Sequence, residues 1–188
     1  MKTFAGLNLM KIKGALKEGS KNSGSAVRRR FKSKIMHCRN PFPLPDRLDA
    51  KLQPVVTLWE NLKRGESGMP FGDDLGMPAL SKLPGNPFLL SVFPAPERYR
   101  FEFICDSLRG DVTTGTFIDE MSPNLNFSYL RAQSSATVEA AAPTLLHLTQ
   151  WSGYSFSRVL LPLWGNGQVT MLLGAIDRYT IVNRPLDI

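Results

Sequence analysis

Apolar residues recur at Leu48, Leu52, Val55, Trp59 and Leu62, with spacings of 4, 3, 4 and 3 that predict an amphipathic helix. Asp46 is placed to cap it, Pro54 marks a fresh start or a kink, and Gly65 and Gly68 close it. Residues 69–87 are rich in Pro and Gly, carry Asp73 and Asp74, and offer only a short helical turn over 78–83. From Phe88 the period changes. Residues 88–93 form an apolar run and residues 94–97 a turn. Residues 99–106 then alternate, with Phe101, Phe103 and Cys105 on one face, so the two stretches predict a hairpin.

Residues 109–142 return to helical character, in a short piece around 117–121 and a longer one from Pro123 until Pro143 stops it. Three further strands are predicted over 144–150, 156–163 and 169–179. Ser152-Gly153 and Gly165-Asn166-Gly167 supply the turns between them, the second a strong hairpin signal. The predicted order is a helix, two strands, a helical insert and three strands. That is an α+β chain with a five-stranded antiparallel sheet, and no internal repeat is visible. Pro41, Pro43 and Pro45 interrupt any element ahead of the first helix. They divide a basic arm (1–45) from a folded domain (46–182) and a short tail (183–188).

This order is that of a PAS domain. The residues along it resemble the PAS_5 family, stand-alone alphaproteobacterial PAS proteins once grouped as a domain of unknown function. The resemblance is carried by Trp59 with Leu62-Lys63-Arg64-Gly65, then Met69-Pro70, Asp73-Asp74, Pro78 and Leu83-Pro84. Further on it rests on Tyr99-Arg100-Phe101-Glu102-Phe103, on the run from Arg109 to Gly115 and on Leu160-Leu161-Pro162-Leu163. It departs from that family at Phe71-Gly72, where an arginine is usual, and at Cys105-Asp106, where Gly-Thr is common. What the resemblance implies is a PAS-like sheet and sensing or protein interaction without an attached catalytic domain.

Charge changes the picture at one end. The chain carries a net +7, which by itself suggests a nucleic-acid protein. Residues 1–40 hold 11 of the 23 Lys and Arg and a single acid, Glu18, for +10, whereas the remainder is −3. The basic signal therefore belongs to the arm. Its Gly/Ser/Lys/Asn tract and the cluster Arg28, Arg29, Arg30, Lys32 and Lys34 cannot bury enough surface to offset ordering entropy. The cluster suits phosphates of nucleic acid or an anionic membrane surface, and a solvated tail is the alternative. No run long and apolar enough for a membrane helix exists, and the N-terminus lacks the uninterrupted apolar stretch of a secretory signal. With only Cys38 and Cys105, the expectation is a cytoplasmic protein without a disulfide framework.

Candidate chemistry is sparse. His37 and His147 lack partners at zinc spacing, Ser155 and Ser157 lie in a predicted strand rather than a nucleophile elbow, and no phosphate-binding glycine loop is present. No enzyme activity is expected. Nor is any cofactor: Cys38 is outside the domain and in the wrong order for a flavin photosensor, and His147 is on a strand rather than a haem-binding helix. Candidates for contact with a small molecule are Phe103 and Cys105, which line a pocket or fill the core, with Tyr129 and His147. Arg158, set in an apolar strand, points either into a cavity toward an anionic group or outward to solvent. Leu52, Val55, Trp59 and Leu62 form a stripe that must be covered by the sheet or by a second subunit. Homodimerisation through that helix, and binding of a protein signalling partner, are the expected associations.

Overall fold

The computed structural model describes residues 41–65, 67–110, 112–149 and 153–180. The arm cluster Arg28, Arg29, Arg30, Lys32 and Lys34, with His37, Cys38 and the tail, lies outside the described residues. Helix α1 spans Gln53–Asn61 and a single helical turn, α2, spans Met77–Leu80. Strands β1 (Pro87–Pro94) and β2 (Glu97–Ile104) form the first hairpin. Short 3-10 turns at Asp106–Leu108, Ile118–Glu120 and Leu125–Phe127 then lead into helix α3, Leu130–Ala140. Strands β3 (Thr144–Thr149), β4 (Tyr154–Gly165) and β5 (Gln168–Thr180) complete an all-antiparallel sheet in the order β2-β1-β5-β4-β3. The architecture is α+β. Among the described residues no helix is long and apolar enough to cross a membrane.

The sheet is apolar on both faces, and each face is covered by its own helical layer. On the outer face Leu52, Val55, Val56 and Trp59 of the α1 region pack with Leu80, Leu89, Val159, Leu161, Leu163, Leu173 and Ala175. On the inner face Phe88, Leu90, Tyr99, Phe101, Phe156, Leu160, Leu172 and Ile176 meet Leu108, Phe127 and Leu130 of the insert. Phe88, Phe101 and Phe127 form an aromatic trio with ring centroids 5.2–5.8 Å apart. The alternation of β4 makes both layers possible at once. Phe156, Arg158 and Leu160 point inward while Val159, Leu161 and Leu163 point outward.

Four expectations need correction. The first helix begins at Gln53 rather than behind Asp46, because Pro54 occupies its first turn and the amides of Leu52 and Gln53 bond to Asp49 O in a separate turn. The stripe from Leu52 to Trp59 is spent within the chain: Leu52 and Val55 are 0% and Trp59 1% exposed, and Trp59 Nε1 donates to Pro162 O at 2.7 Å. Leu62 caps the end of α1 and is half-buried on the same cluster. Leu52, Val55 and Trp59 are therefore closed to a second subunit. The helix expected from Pro123 starts only at Leu130, because Asn124 Oδ1 accepts from Asn126 N in a tight turn and Tyr129 adopts a left-handed φ of 59°. Finally, the ladder between β1 and β2 shifts register between Leu89 and Leu90, so that Glu102 is a bulged residue. The bulge turns Phe103 to the outer face, away from Phe101 and Cys105.

Candidate functional site

The insert is fastened to the sheet by polar contacts that the apolar pattern does not show. Helix α3 presents Gln133, Ser134 and Thr137 to the interior, all 0% exposed, where an ordinary core helix would present Leu or Val. Opposite them Arg158 is also 0% exposed. Its Nε donates to Gln133 Oε1 at 2.8 Å, its Nη1 to Asn126 O at 2.9 Å and its Nη2 to Ser128 O at 2.9 Å. Gln133 Nε2 in turn donates to Arg158 O at 3.1 Å and to Thr144 Oγ1 at 3.2 Å. Thr137 Oγ1 donates to Gln133 O and shares a 2.7 Å hydrogen bond with Thr144 Oγ1. Among the described residues no carboxylate bonds to Arg158. Burial pushes its pKa down to about 9, with no opposing charge to hold it up. Ser134 Oγ, buried beside this network, has no hydrogen-bond partner.

A cleft of about 310 Å³ lies over the same segment, lined by Ile118, Met121, Asn124, Leu125, Phe127 and Ser128 among others. Its volume is at the lower end of small-molecule sites. Phe127 forms part of its wall and belongs to the inner core, Leu125 is 52% exposed, and the carbonyl of Ser128 is the one that receives Arg158 Nη2. One side of the cleft is fixed by charge. Arg98 donates to Asp119 and Glu120 and lies 3.7 Å from the Phe117 ring centroid, which pins the Ile118–Glu120 turn to β2. The hydrogen bond from Arg98 holds the Asp119 carboxyl below its ordinary pKa.

The five residues read from the sequence as ligand contacts are not brought together. Arg158 is inside, yet it is closed over by insert carbonyls rather than facing an open cavity. Cys105 is a half-buried free thiol at the edge of the inner core, 3.1 Å from Ser107 Oγ. Phe103 faces the outer cluster, and Tyr129 is 65% exposed. His147 is exposed on the outer face, stacked on Tyr179, with Nδ1 3.1 Å from Ser157 Oγ and 2.9 Å from the Tyr179 hydroxyl. The neighbouring Asp177 is tied to Lys51 at 2.9 Å. Sequence reasoning missed Gln133, Ser134 and Thr137. Their signal was the scarcity of large apolar side chains, Leu130 and Val138 alone, in a helix that had to cover a sheet.

Among the described residues no group of three or more His, Cys, Asp and Glu converges to hold a metal. No family model, curated protein or solved structure matches the chain.

Proposed function

We propose that this chain is a non-enzymatic sensory or regulatory module of PAS type, which binds a small molecule or a protein partner and works as a homodimer. The reading is supported by the strand order β2-β1-β5-β4-β3 and by the placement of the whole insert between β2 and β3 over one face. The observation that carries it is the Arg158 network. An insert held by hydrogen bonds to a buried cation has a directional attachment, which a ligand in the cleft beside Ser128 would strain or reinforce. β4, which bears Arg158, runs the length of the sheet and hands any shift to its neighbours. The ligand class that fits is a small, largely apolar molecule with one or two hydrogen-bonding groups for Asn124 and Ser128.

Native mass spectrometry of the protein as purified, followed by thermal-shift screening against metabolites, tests this reading. A retained small molecule, or a metabolite that raises the melting temperature of the parent and not of Phe127→Ala, supports it. An empty protein that no metabolite shifts overturns the small-molecule part, and turnover of any screened metabolite overturns the non-enzymatic part. A second reading, a nucleic-acid-associated regulator, is favoured by one observation alone: the +10 of residues 1–40 against the −3 of the rest.

A further inference from the structure

The two edges of the sheet are treated differently. At the β2 edge, Phe101 N donates to Thr116 O at 3.0 Å, Gly115 N donates to Phe101 O at 2.7 Å, and Arg100 forms a bridge with Phe117. That edge also carries Glu97, Arg98, Arg100 and Glu102. It is both covered and charged, the usual defences against strand pairing. The β3 edge carries no such charges and little cover. Its sequence, Thr144-Leu145-Leu146-His147-Leu148-Thr149, lacks acidic residues, Lys, Arg and Pro.

Among the described residues, this edge is covered only at its start. Leu145 N, turned away from β4, donates to Phe42 O at 3.1 Å. The register between β3 and β4 is unbroken from Thr144 to Thr149. In an antiparallel ladder every second residue turns its amide and carbonyl outward, so His147 and Thr149 share the outward phase of Leu145. Both are exposed, and among the described residues neither backbone has a partner beyond the ladder.

We infer that this edge pairs with the same edge of a second copy, antiparallel about a two-fold axis at Leu148. This deepens the homodimer of the proposed function and rests on it. That register sets His147 opposite Thr149 of the other copy, twice over, and satisfies all four outward groups of each chain. A centre at His147 would instead oppose Thr149 to Leu145, whose amide Phe42 already holds. An identical strand without Lys, Arg, Asp or Glu sets no such like charges against each other in the pair. The half-buried Leu146 and Leu148 on one face, and the His147–Tyr179 stack on the other, gain cover from the join. A short edge gives a reversible dimer, and the two sheets become one.

Light scattering on the full chain over a range of concentrations reads the association. The mass is expected to rise from one chain toward two. Thr149→Pro removes an amide that the β4 ladder does not use and should raise the dissociation constant about tenfold or more, with an unchanged circular-dichroism spectrum. His147→Lys, which sets like charges close across the axis, should weaken the dimer without any change of backbone. Leu148→Cys, made together with Cys38→Ser and Cys105→Ser, should form a disulfide-linked dimer under mild oxidation, because residues facing across a two-fold non-hydrogen-bonded pair lie about 4.5 Å apart. A dimer that survives both Thr149→Pro and His147→Lys overturns the edge and leaves homodimerisation standing. A single-chain mass at every concentration overturns both.

Discussion

Gly174 of β5 pairs with Phe88 of β1, and a Cβ built on it would fall 2.1 Å from Phe88 Cζ. The glycine is there because the ring lies flat across its Cα, which lets Phe88 reach both Phe101 and Phe127. Gly174→Ala is expected to cost about 1–3 kcal/mol, since a closely packed ring has no room to retreat. Adding Phe88→Leu should return part of that loss, and urea denaturation of the two single variants and the double variant measures the coupling. Strict additivity would show that the clash is relieved elsewhere. Tyr99 supplies a second residue-level expectation. Burial, and then its hydrogen bond to Glu97, raises the Tyr99 phenol well above its ordinary value of 10.0. The unfolded chain therefore releases this proton first as pH climbs, and the folded state loses stability from about pH 10 upward. The urea midpoint should fall between pH 9 and 11, and fall less steeply in Tyr99→Phe. Equal slopes in the two proteins would remove Tyr99 as the cause.

Between elements, Arg158 joins β4 to both the Leu125–Phe127 turn and α3. Two effects compete when it is replaced. Burying its charge is unfavourable, as the fall of its pKa to about 9 reports. Removing it, however, takes one donor from each of Asn126 O, Ser128 O and Gln133 Oε1, at about 1–3 kcal/mol for each buried acceptor that this leaves unsatisfied. The second effect outweighs the first, so Arg158→Met should destabilise by about 2–4 kcal/mol. Arg158→Lys should be worse still. It keeps a buried charge, yet a single ammonium cannot span three acceptors set around a planar fork. Hydrogen exchange should show α3 opening before the β4–β5 hairpin in both variants, and a lysine variant more stable than the methionine one would refute this account. These contacts also mark where the sequence stopped being legible. The strand runs, the Asn166-Gly167 turn with φ of 49° and 81°, and the α1 stripe follow from local pattern and turn chemistry. The bulge at Glu102 does not, because one inserted residue reverses the phase of Phe103 without altering the apolar content of the strand. Nor does the polar face of α3, whose partners lie 11 and 25 residues away and become visible only once β3 and β4 are folded over it. Arg158 stands out in the sequence as a charge in an apolar strand. Its destination was set by the insert, which has almost no periodicity to read.

At the scale of the whole molecule the governing feature is the separation of charge. A folded region of −3 repels polyanions weakly, so any affinity for nucleic acid must reside in the +10 of residues 1–40. Such binding rests on counterion release, and its salt dependence counts the phosphates engaged. On duplex DNA the slope of log K against log salt is about −0.9 for each phosphate neutralised. Replacing Arg28, Arg29, Arg30, Lys32 and Lys34 by serine in the full chain should therefore flatten that slope by up to about 4.5 if all five engage phosphate. The same replacement should leave metabolite binding at the insert cleft unchanged, because the cleft is lined by residues of the insert. Fluorescence anisotropy with an arbitrary duplex between 50 and 200 mM salt separates the cases. Absence of binding by the parent at the lowest salt rejects the nucleic-acid reading outright. An unchanged slope in the serine variant moves the contact elsewhere in the arm, to the six cations that remain there. A flattened slope with intact metabolite binding assigns the arm and the insert to two kinds of partner, a polyanion held by charge alone and a small molecule held by shape and hydrogen bonds.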